Sequence, residues 1–224
     1  MIEAVVFDLD GVIVDSEQVW DDVRKTLVRE RGGRWHERAQ AEMMGMSSPE
    51  WSRYLHEELG LAEPPEEINA EVVRRMLERY RVELPLIDGA VEAVKRLAAE
   101  LALGVASSSN RPLIETVLEG AGITEFFAAT VSSEEVARGK PAPDVYLEAA
   151  RRLNVAPERC AAIEDSSNGL LAAHAAGMRV IAVPNLHYPP AEDTLRYAAV
   201  VLRSPAELTL EVAQQGRRSG HAAE

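Results

Sequence analysis

The sequence is poor in cysteine, and Cys160 is the only one among 224 residues. No disulfide can therefore form within the chain, and we expect a reducing, cytoplasmic location. Cys160 begins an apolar stretch at residues 160–163. We therefore expect it to pack in the protein core rather than to act as a nucleophile.

Long apolar runs are missing as well, and no stretch of the sequence approaches the ~18 residues that a membrane-spanning helix needs. The chain begins without a basic segment and reaches an acidic residue at Glu3. We therefore expect neither a signal peptide nor a membrane partner.

Positive charge is scarce: 24 Lys and Arg stand against 37 Asp and Glu, which gives a net charge of -13. This balance disfavours nucleic acid as a partner. An anionic substrate would need a local positive site within a negative overall field. The apolar content of 46% is sufficient for a sizeable core, in one large domain or two smaller ones.

Short apolar runs alternate with longer amphipathic stretches along most of the chain. Because each run is continuous, we expect strands buried on both faces, at residues 4–7, 102–106, 129–131, 160–163 and 179–183. Helical patterns lie between them, at residues 89–100, 112–121, 144–153 and 168–177. The alternation predicts an α/β fold with a doubly wound parallel sheet. His174, in the last helical pattern, is expected to pack in the core.

One long stretch breaks this alternation, because it contains helical patterns and no convincing strand. Val19, Val23 and Leu27 recur at helical spacing, as do apolar residues at 72–80. We therefore predict an α-helical subdomain at 16–85 and a discontinuous core at 1–15 and 86–224. Hinges are expected near 14–16 and 84–89, and the polar tail at 214–224 is expected to fray.

Acidic pairs follow two of the predicted strands: Asp8 and Asp10 follow the first, and Glu164 and Asp165 follow the fourth. Ligands of open α/β sheets bind at the carboxyl ends of the strands. Carboxylates crowded there repel one another unless a cation neutralises them. The cluster therefore suggests Mg²⁺, although a solvated turn also explains Asp8 and Asp10 alone.

Two further strand-end features are candidates for binding an anion. The run Ser107-Ser108-Ser109-Asn110 precedes a helix, and hydroxyls with backbone N–H groups at such a position bind anions. A simple helix N-cap is the alternative interpretation. Lys140 lies in a turn between a glycine and two prolines. It would offer a fixed positive charge to a phosphate, whereas an ordinary surface lysine is only solvated.

Together these segments resemble the haloacid dehalogenase superfamily of phosphotransferases. They are DLDGVIVDS at 8–16, SSSN at 107–110, GKPAP at 139–143 and EDSSNG at 164–169, in that order. The resemblance spans almost the whole chain and implies a Rossmann-like core. The helical insert resembles the small cap of the beta-phosphoglucomutase-like and phosphoglycolate phosphatase-like branch.

The resemblance implies a role for each matching residue. Asp8 would be the nucleophile that forms an aspartyl-phosphate, and Asp10 would be the general acid and then the base. Ser107 and the Ser108 backbone N–H would hold the phosphate, and Lys140 would neutralise its charge. The implied Mg²⁺ ligands are the carboxylates of Asp8, Glu164 and Asp165 and the carbonyl of Asp10.

The expected activity is Mg²⁺-dependent hydrolysis of a small phosphomonoester, a sugar phosphate or a phosphoglycolate-like acid, by a monomeric enzyme. A phosphomutase is the main alternative. Mutases of this branch carry a histidine where this chain has Trp20, and an arginine in the cap loop where it has Ser48. Arg53 lies nearby and could replace that arginine.

A haloacid dehalogenase and a non-enzymatic phosphoacceptor module are further alternatives. Asp10 and the acidic cluster argue against the dehalogenase, and Asp10 and the cap argue against the module. The cap residues that are candidates to face the site are Trp20, Met44, Met46, Ser47, Trp51 and Arg53. Packing within the cap is the alternative for the Trp and Met residues. Trp20, Ser47 and Arg53 are expected to set substrate specificity.

Overall fold

The computed structural model describes residues 1–44 and 46–215. The part of the predicted frayed tail from residue 216 onward lies outside the described residues. A six-stranded sheet with the order β3-β2-β1-β4-β5-β6 forms the core, and its strand pairs are parallel. The strands are β1 (Ala4–Phe7), β2 (Ala102–Ser107), β3 (Phe127–Ser132), β4 (Cys160–Glu164), β5 (Arg179–Ala182) and β6 (Val200–Val201).

Helices cover both faces of this sheet, which confirms the doubly wound α/β prediction. Alternate residues of β1 belong to different cores. Val5 and Phe7 pack with α5 (Ala90–Ala98), α6 (Arg111–Gly120) and α9 (Leu210–Gln214). On the opposite face, Ala4 and Val6 pack with α7 (Asp144–Leu153) and α8 (Ser167–Ala175). Strand β6 was not predicted from the sequence, because a strand of two residues is too short to show a hydrophobic pattern.

Two of the packing predictions have different outcomes. Cys160 is fully buried in the second of these cores, as expected, and burial raises the pKa of its thiol to about 11. The prediction for His174 is wrong. Its side chain is exposed and lies against Tyr197, with 4.6 Å between the ring centroids. Small residues such as Ala172 and Ala173 fill the buried side of α8 instead.

The helical insert contains α1 (Glu17–Glu30), α2 (Ala39–Met43), α3 (Ser48–Glu57) and α4 (Pro65–Val82). Its two connections to the core run side by side. The Asp15 N–H donates to the Pro85 carbonyl at 2.7 Å, and the Ile87 N–H donates to the Ile13 carbonyl at 3.0 Å. Both predicted hinge segments therefore lie in one paired region, although the domain boundaries themselves remain a prediction.

The insert lies over the carboxyl ends of the strands and contacts the core loops there. Asn168 donates to the Met44 carbonyl at 3.0 Å, and Asn110 donates to Asn69 at 3.2 Å. A Cβ atom at Gly139 would lie 2.8 Å from the Ser47 Cβ, so the glycine permits a close approach of the cap. None of the described helices has the length and apolarity to cross a lipid bilayer.

Candidate active site

The parallel sheet brings the predicted core residues to one edge. Strand β1 lies between β2 and β4, so the segment after Phe7 runs beside the ends of both neighbours. The Asp8 N–H donates to the Ile163 carbonyl at 2.9 Å, which fixes Asp8 against β4. Ser107 ends β2 and Glu164 ends β4. Sequence positions more than 150 residues apart therefore meet at this edge.

Lys140 connects two of the acidic residues in a buried ion-pair network. Its Nζ lies 2.9 Å from Asp8 Oδ1 and 2.6 Å from Glu164 Oε1. Burial alone lowers the pKa of Lys140, but the charges of Asp8 and Glu164 outweigh this and raise it above its ordinary value. Burial also raises the pKa of Asp8, and Lys140 opposes that shift. Lys140 is thus a fixed cation beside Asp8.

Asp8, Glu164 and Asp165 form a compact group in which one oxygen from each lies within 4.8 Å of the others. Asp165 Oδ2 is buried and accepts no hydrogen bond from any described residue. Burial, then the charges of Glu164 and Asp8, raises the pKa of Asp165 well above its usual range. A buried carboxylate oxygen without a donor, facing other carboxylates, fits a divalent cation with oxygen ligands.

Gly11 leaves the space that Asp165 occupies. Its φ of +75° lies in the region that favours glycine, and a Cβ atom there would lie 1.8 Å from Asp165 Oδ2. The fourth residue of the first motif therefore has two independent reasons to be glycine, the backbone turn and the position of Asp165.

Both carboxylate oxygens of Glu164 already accept hydrogen bonds from neighbouring residues. Oε1 accepts hydrogen bonds from Lys140 and from the Tyr146 hydroxyl, both at 2.6 Å. Oε2 accepts from the backbone N–H groups of Asp165 and Ser166 and from the Ser166 hydroxyl. These bonds orient Lys140 and fix the turn that carries Asp165. The ligand role of Glu164, like that of the Asp10 carbonyl, remains a prediction.

The Asp10 carboxylate is held by four side-chain donors. Oδ1 accepts from the Ser16 hydroxyl at 2.5 Å and from the Trp20 indole at 3.2 Å. Oδ2 accepts from the hydroxyls of Ser109 at 2.7 Å and Ser107 at 3.4 Å. Neither Ser16 nor Ser109 was predicted from the sequence as a site residue, although both belong to the motifs at 8–16 and 107–110.

The serine loop, residues 107–110 after β2, is held by two serines at the end of β3 and just after it. The Ser132 hydroxyl donates to the Ser109 carbonyl at 2.7 Å, and the Ser133 hydroxyl donates to the Ser108 carbonyl at 3.1 Å. Ser107 is buried and accepts the Ser109 N–H at 2.9 Å, whereas Ser108 lines the cavity above Asp8. This loop leads directly into α6, as the proposed anion site requires.

A cavity lies between these core residues and the cap, and residues of both line it. Of the cap residues expected to face the site, four line it: Trp20, Met44, Met46 and Trp51. Ser47 instead caps α3, where its hydroxyl donates to Glu50 at 2.6 Å. Arg53 is exposed. It lies two residues after the buried Trp51, which corresponds to about 200° around a helix. The structure therefore brings neither Ser47 nor Arg53 to the cavity.

Two charged residues of α1 line the cavity and were missed by the sequence analysis. Glu17 precedes Trp20 by three positions and Arg24 follows it by four, so all three share one helix face. Burial raises the pKa of Glu17 to about 7 and lowers that of Arg24 to about 10. The spacing from Trp20 is the signal that would have identified them.

The chain is similar to known proteins over nearly its whole length. A family model described as haloacid dehalogenase-like hydrolase matches residues 2–177. Hexitol phosphatase B of Escherichia coli is 34% identical, over 93% of this chain and 95% of its own. The bifunctional riboflavin kinase/FMN phosphatase of Arabidopsis thaliana is 32% identical over 92% of this chain. This chain spans 54% of that protein, about half its length.

Solved structures share the complete fold. CbbY from Rhodobacter sphaeroides, in complex with phosphate, is 30% identical with a TM-score of 0.84, over 96% of this chain and 100% of its own. A beta-phosphoglucomutase from Clostridium difficile is 26% identical with a TM-score of 0.80, over 96% of each chain. The matches thus include both a phosphate-bound protein and a mutase.

Proposed function

The chain belongs to the haloacid dehalogenase-like hydrolase family, and we propose that it hydrolyses a small phosphomonoester in two steps through Asp8. One arrangement carries this proposal. The buried Asp8 carboxylate has Lys140 on one side and the acceptor-only oxygen of Asp165 on the other, with Asp10 two residues away. These groups provide a nucleophile, a cation, a metal ligand and a proton carrier at one point.

In the first step, a carboxylate oxygen of Asp8 attacks phosphorus while the bond to the leaving alcohol oxygen breaks. Asp10, in its protonated form, gives its proton to that oxygen. Lys140, the Ser107 hydroxyl and the Ser108 backbone N–H hold the phosphoryl oxygens. Asp8, Asp165, Glu164 and the Asp10 carbonyl would hold Mg²⁺, which would neutralise charge on the phosphoryl group.

In the second step, water attacks the phosphorus of the aspartyl-phosphate, and the bond to the Asp8 oxygen breaks. Asp10, now a carboxylate, accepts the proton from the water, so inorganic phosphate leaves and the first state returns. The bonds from Ser16, Trp20 and Ser109 hold Asp10 in one orientation for both steps.

Trp20 favours hydrolysis over the mutase alternative. It occupies the position of the mutase histidine, and its indole N–H donates to Asp10. An indole nitrogen only donates hydrogen bonds, whereas a histidine accepts and releases protons near neutral pH. Hexitol phosphatase B and the phosphate-bound CbbY structure support a small phosphorylated substrate. We propose that the enzyme acts as a cytoplasmic monomer.

The test compares phosphate release by the wild type and by Asp8→Asn from p-nitrophenyl phosphate and a panel of sugar phosphates. We expect the variant to lose at least about 1,000-fold in kcat/KM, because the amide is not a nucleophile. Asp22→Asn is the matched control, since Asp22 is exposed and pairs only with Arg79 among the described residues. Chelation with EDTA should abolish turnover by the wild type.

Near wild-type turnover by Asp8→Asn, or undiminished turnover in EDTA, would refute the proposed mechanism. Formation of an isomeric sugar phosphate instead of free phosphate, from a sugar 1-phosphate with its bisphosphate, would favour the mutase alternative.

A further inference from the structure

Arg24 is a buried cation that the two proposed steps do not use. It lines the cap side of the cavity and is only 5% exposed. Its guanidinium packs against two indole rings, 4.3 Å from the Trp20 centroid and 4.8 Å from that of Trp51, and the two ring centroids lie 5.9 Å apart. Burial of a charge is costly unless the charged group is well bonded.

The polar partners of Arg24 leave its donors incompletely used. One terminal nitrogen donates to Gln40 Oε1 at 3.3 Å, which is a long hydrogen bond, and the buried Nε has no partner among the described residues. Gln40 in turn donates to Glu17 Oε2 at 2.9 Å. Arg24, Gln40 and Glu17 therefore form one hydrogen-bonded group beside the cavity. The Arg24 Nε is a donor of this group that no described residue uses.

This group lies where the leaving alcohol of the proposed reaction must be. Trp20 contacts Asp10, the residue that protonates the leaving oxygen, through its indole N–H. Arg24 stacks on that same indole. The part of the substrate beyond the leaving oxygen therefore extends from Asp10 towards Arg24 and Glu17.

The local charge disfavours a second anion at this position. The carboxylates of Glu17, Asp10 and Asp21 all act electrostatically on the Arg24 guanidinium. A second phosphate or carboxylate on the substrate would meet their repulsion as well as the attraction of Arg24. A hydroxyl group meets no such conflict, because it donates to Glu17 and accepts from Arg24.

We propose that Arg24, Glu17 and Gln40 bind the leaving-group end of the substrate, and that this end carries hydroxyl groups and no second negative charge. The proposal rests on the proposed function. It assigns a polyol or sugar monophosphate as the substrate class, with Trp20 and Trp51 against the carbon skeleton. It excludes phosphoglycolate-like acids and bisphosphates as preferred substrates.

The test is steady-state kinetics with sorbitol 6-phosphate, phosphoglycolate, fructose 1,6-bisphosphate and p-nitrophenyl phosphate. We expect the wild type to prefer sorbitol 6-phosphate by at least tenfold in kcat/KM over phosphoglycolate and fructose 1,6-bisphosphate, which both carry a second anionic group. Arg24→Gln should lower kcat/KM for sorbitol 6-phosphate mainly through KM. The loss should be at least ten times larger than the loss on p-nitrophenyl phosphate, which has no hydroxyl groups.

Two companion variants sharpen the result. Arg29→Gln, an exposed arginine of the same helix, is the matched control and should behave as the wild type. Burial raises the pKa of Glu17 to about 7, so the assays are run at pH 8, where its carboxylate repels a second anion. Glu17→Gln removes that repulsion and should raise the relative kcat/KM for phosphoglycolate. Thermal melting checks that Arg24→Gln is folded.

Equal losses on sorbitol 6-phosphate and p-nitrophenyl phosphate would assign Arg24 a structural role and overturn the proposal. The proposal would also be overturned if the wild type preferred phosphoglycolate or fructose 1,6-bisphosphate and Arg24→Gln removed that preference. Failure of the proposed function looks different, because the wild type would then release no phosphate from any of the compounds, including p-nitrophenyl phosphate.

Discussion

The two sides of the active-site cavity are built in different ways. On the core side, Asp8 follows β1 and Glu164 ends the adjacent strand β4, and Asp8 is fixed by the sheet while Glu164 is fixed by Lys140. On the cap side, Trp20 and Arg24 project from α1, where the Trp20 indole donates to Asp10 and Arg24 packs on Trp20. We infer that the core fixes the reacting groups and that the cap selects the leaving group.

The largest expected effect comes from removing the cation of the core side. Lys140→Ala leaves the buried carboxylates of Asp8 and Glu164 without their shared partner. We expect kcat to fall about 1,000-fold for every substrate, and the free energy of unfolding to fall by about 3–5 kcal/mol. Enzyme assays and urea denaturation measure both.

Arg138→Ala is the control for Lys140→Ala, because Arg138 lies in the same loop but is exposed and pairs with Asp144. If the loss in Lys140→Ala varied strongly between substrates, the division between a reacting core and a selecting cap would be wrong.

A smaller effect on activity is expected from a substitution at Gly11. Comparing it with the same substitution at Gly32 separates backbone strain from steric displacement of Asp165. Gly11→Ala places a methyl group where Asp165 Oδ2 lies, at a φ of +75°. Gly32→Ala has the same φ of +75°, with no atom within 4 Å of the new Cβ. Both variants carry the backbone strain, but only Gly11→Ala displaces Asp165.

We therefore expect the Mg²⁺ concentration for half-maximal activity to rise at least about tenfold in Gly11→Ala, by loss of ligand geometry. It should remain unchanged in Gly32→Ala. The measurement is a Mg²⁺ titration of phosphate release, and equal shifts in both variants would mean that strain alone is responsible.

The sequence predicted the core side far better than the cap side, for a physical reason. Asp8, Asp10 and Asp165 follow apolar runs of strand length, and parallel strands that share a sheet end at one edge. Spacing along the chain therefore reports position in space. In the cap, Arg53 was predicted from its nearness in sequence to the mutase arginine position, but the orientation of α3 exposes it. Arg24 was missed because its burial depends on how α1 packs against Trp51.

The smallest expected effect concerns stability rather than catalysis, and it sharpens the contrast between the two sides. Burial raises the pKa of Glu17 to about 7, whereas an unfolded glutamate ionises near 4.5. At pH 5 the folded chain keeps this carboxyl protonated. As the pH rises towards 8, the folded chain must carry a buried charge, so stability contributed by the protonated group is lost. The Glu17→Gln variant has no ionisable group at this position, so it does not lose stability in this way.

We therefore expect Glu17→Gln to gain thermal stability relative to the wild type as the pH rises from 5 to 8. The gain in Tm should be about 2–4 °C, the shift that 1 kcal/mol produces in a chain of this size. Differential scanning calorimetry at both pH values measures it, with Glu30→Gln at the exposed end of α1 as the control. A Tm difference that does not change with pH would show that Glu17 is solvated. In that case Glu17 would not be a buried carboxylate. The proposal needs such a carboxylate to accept a hydrogen bond from a substrate hydroxyl group and to repel a second anionic group.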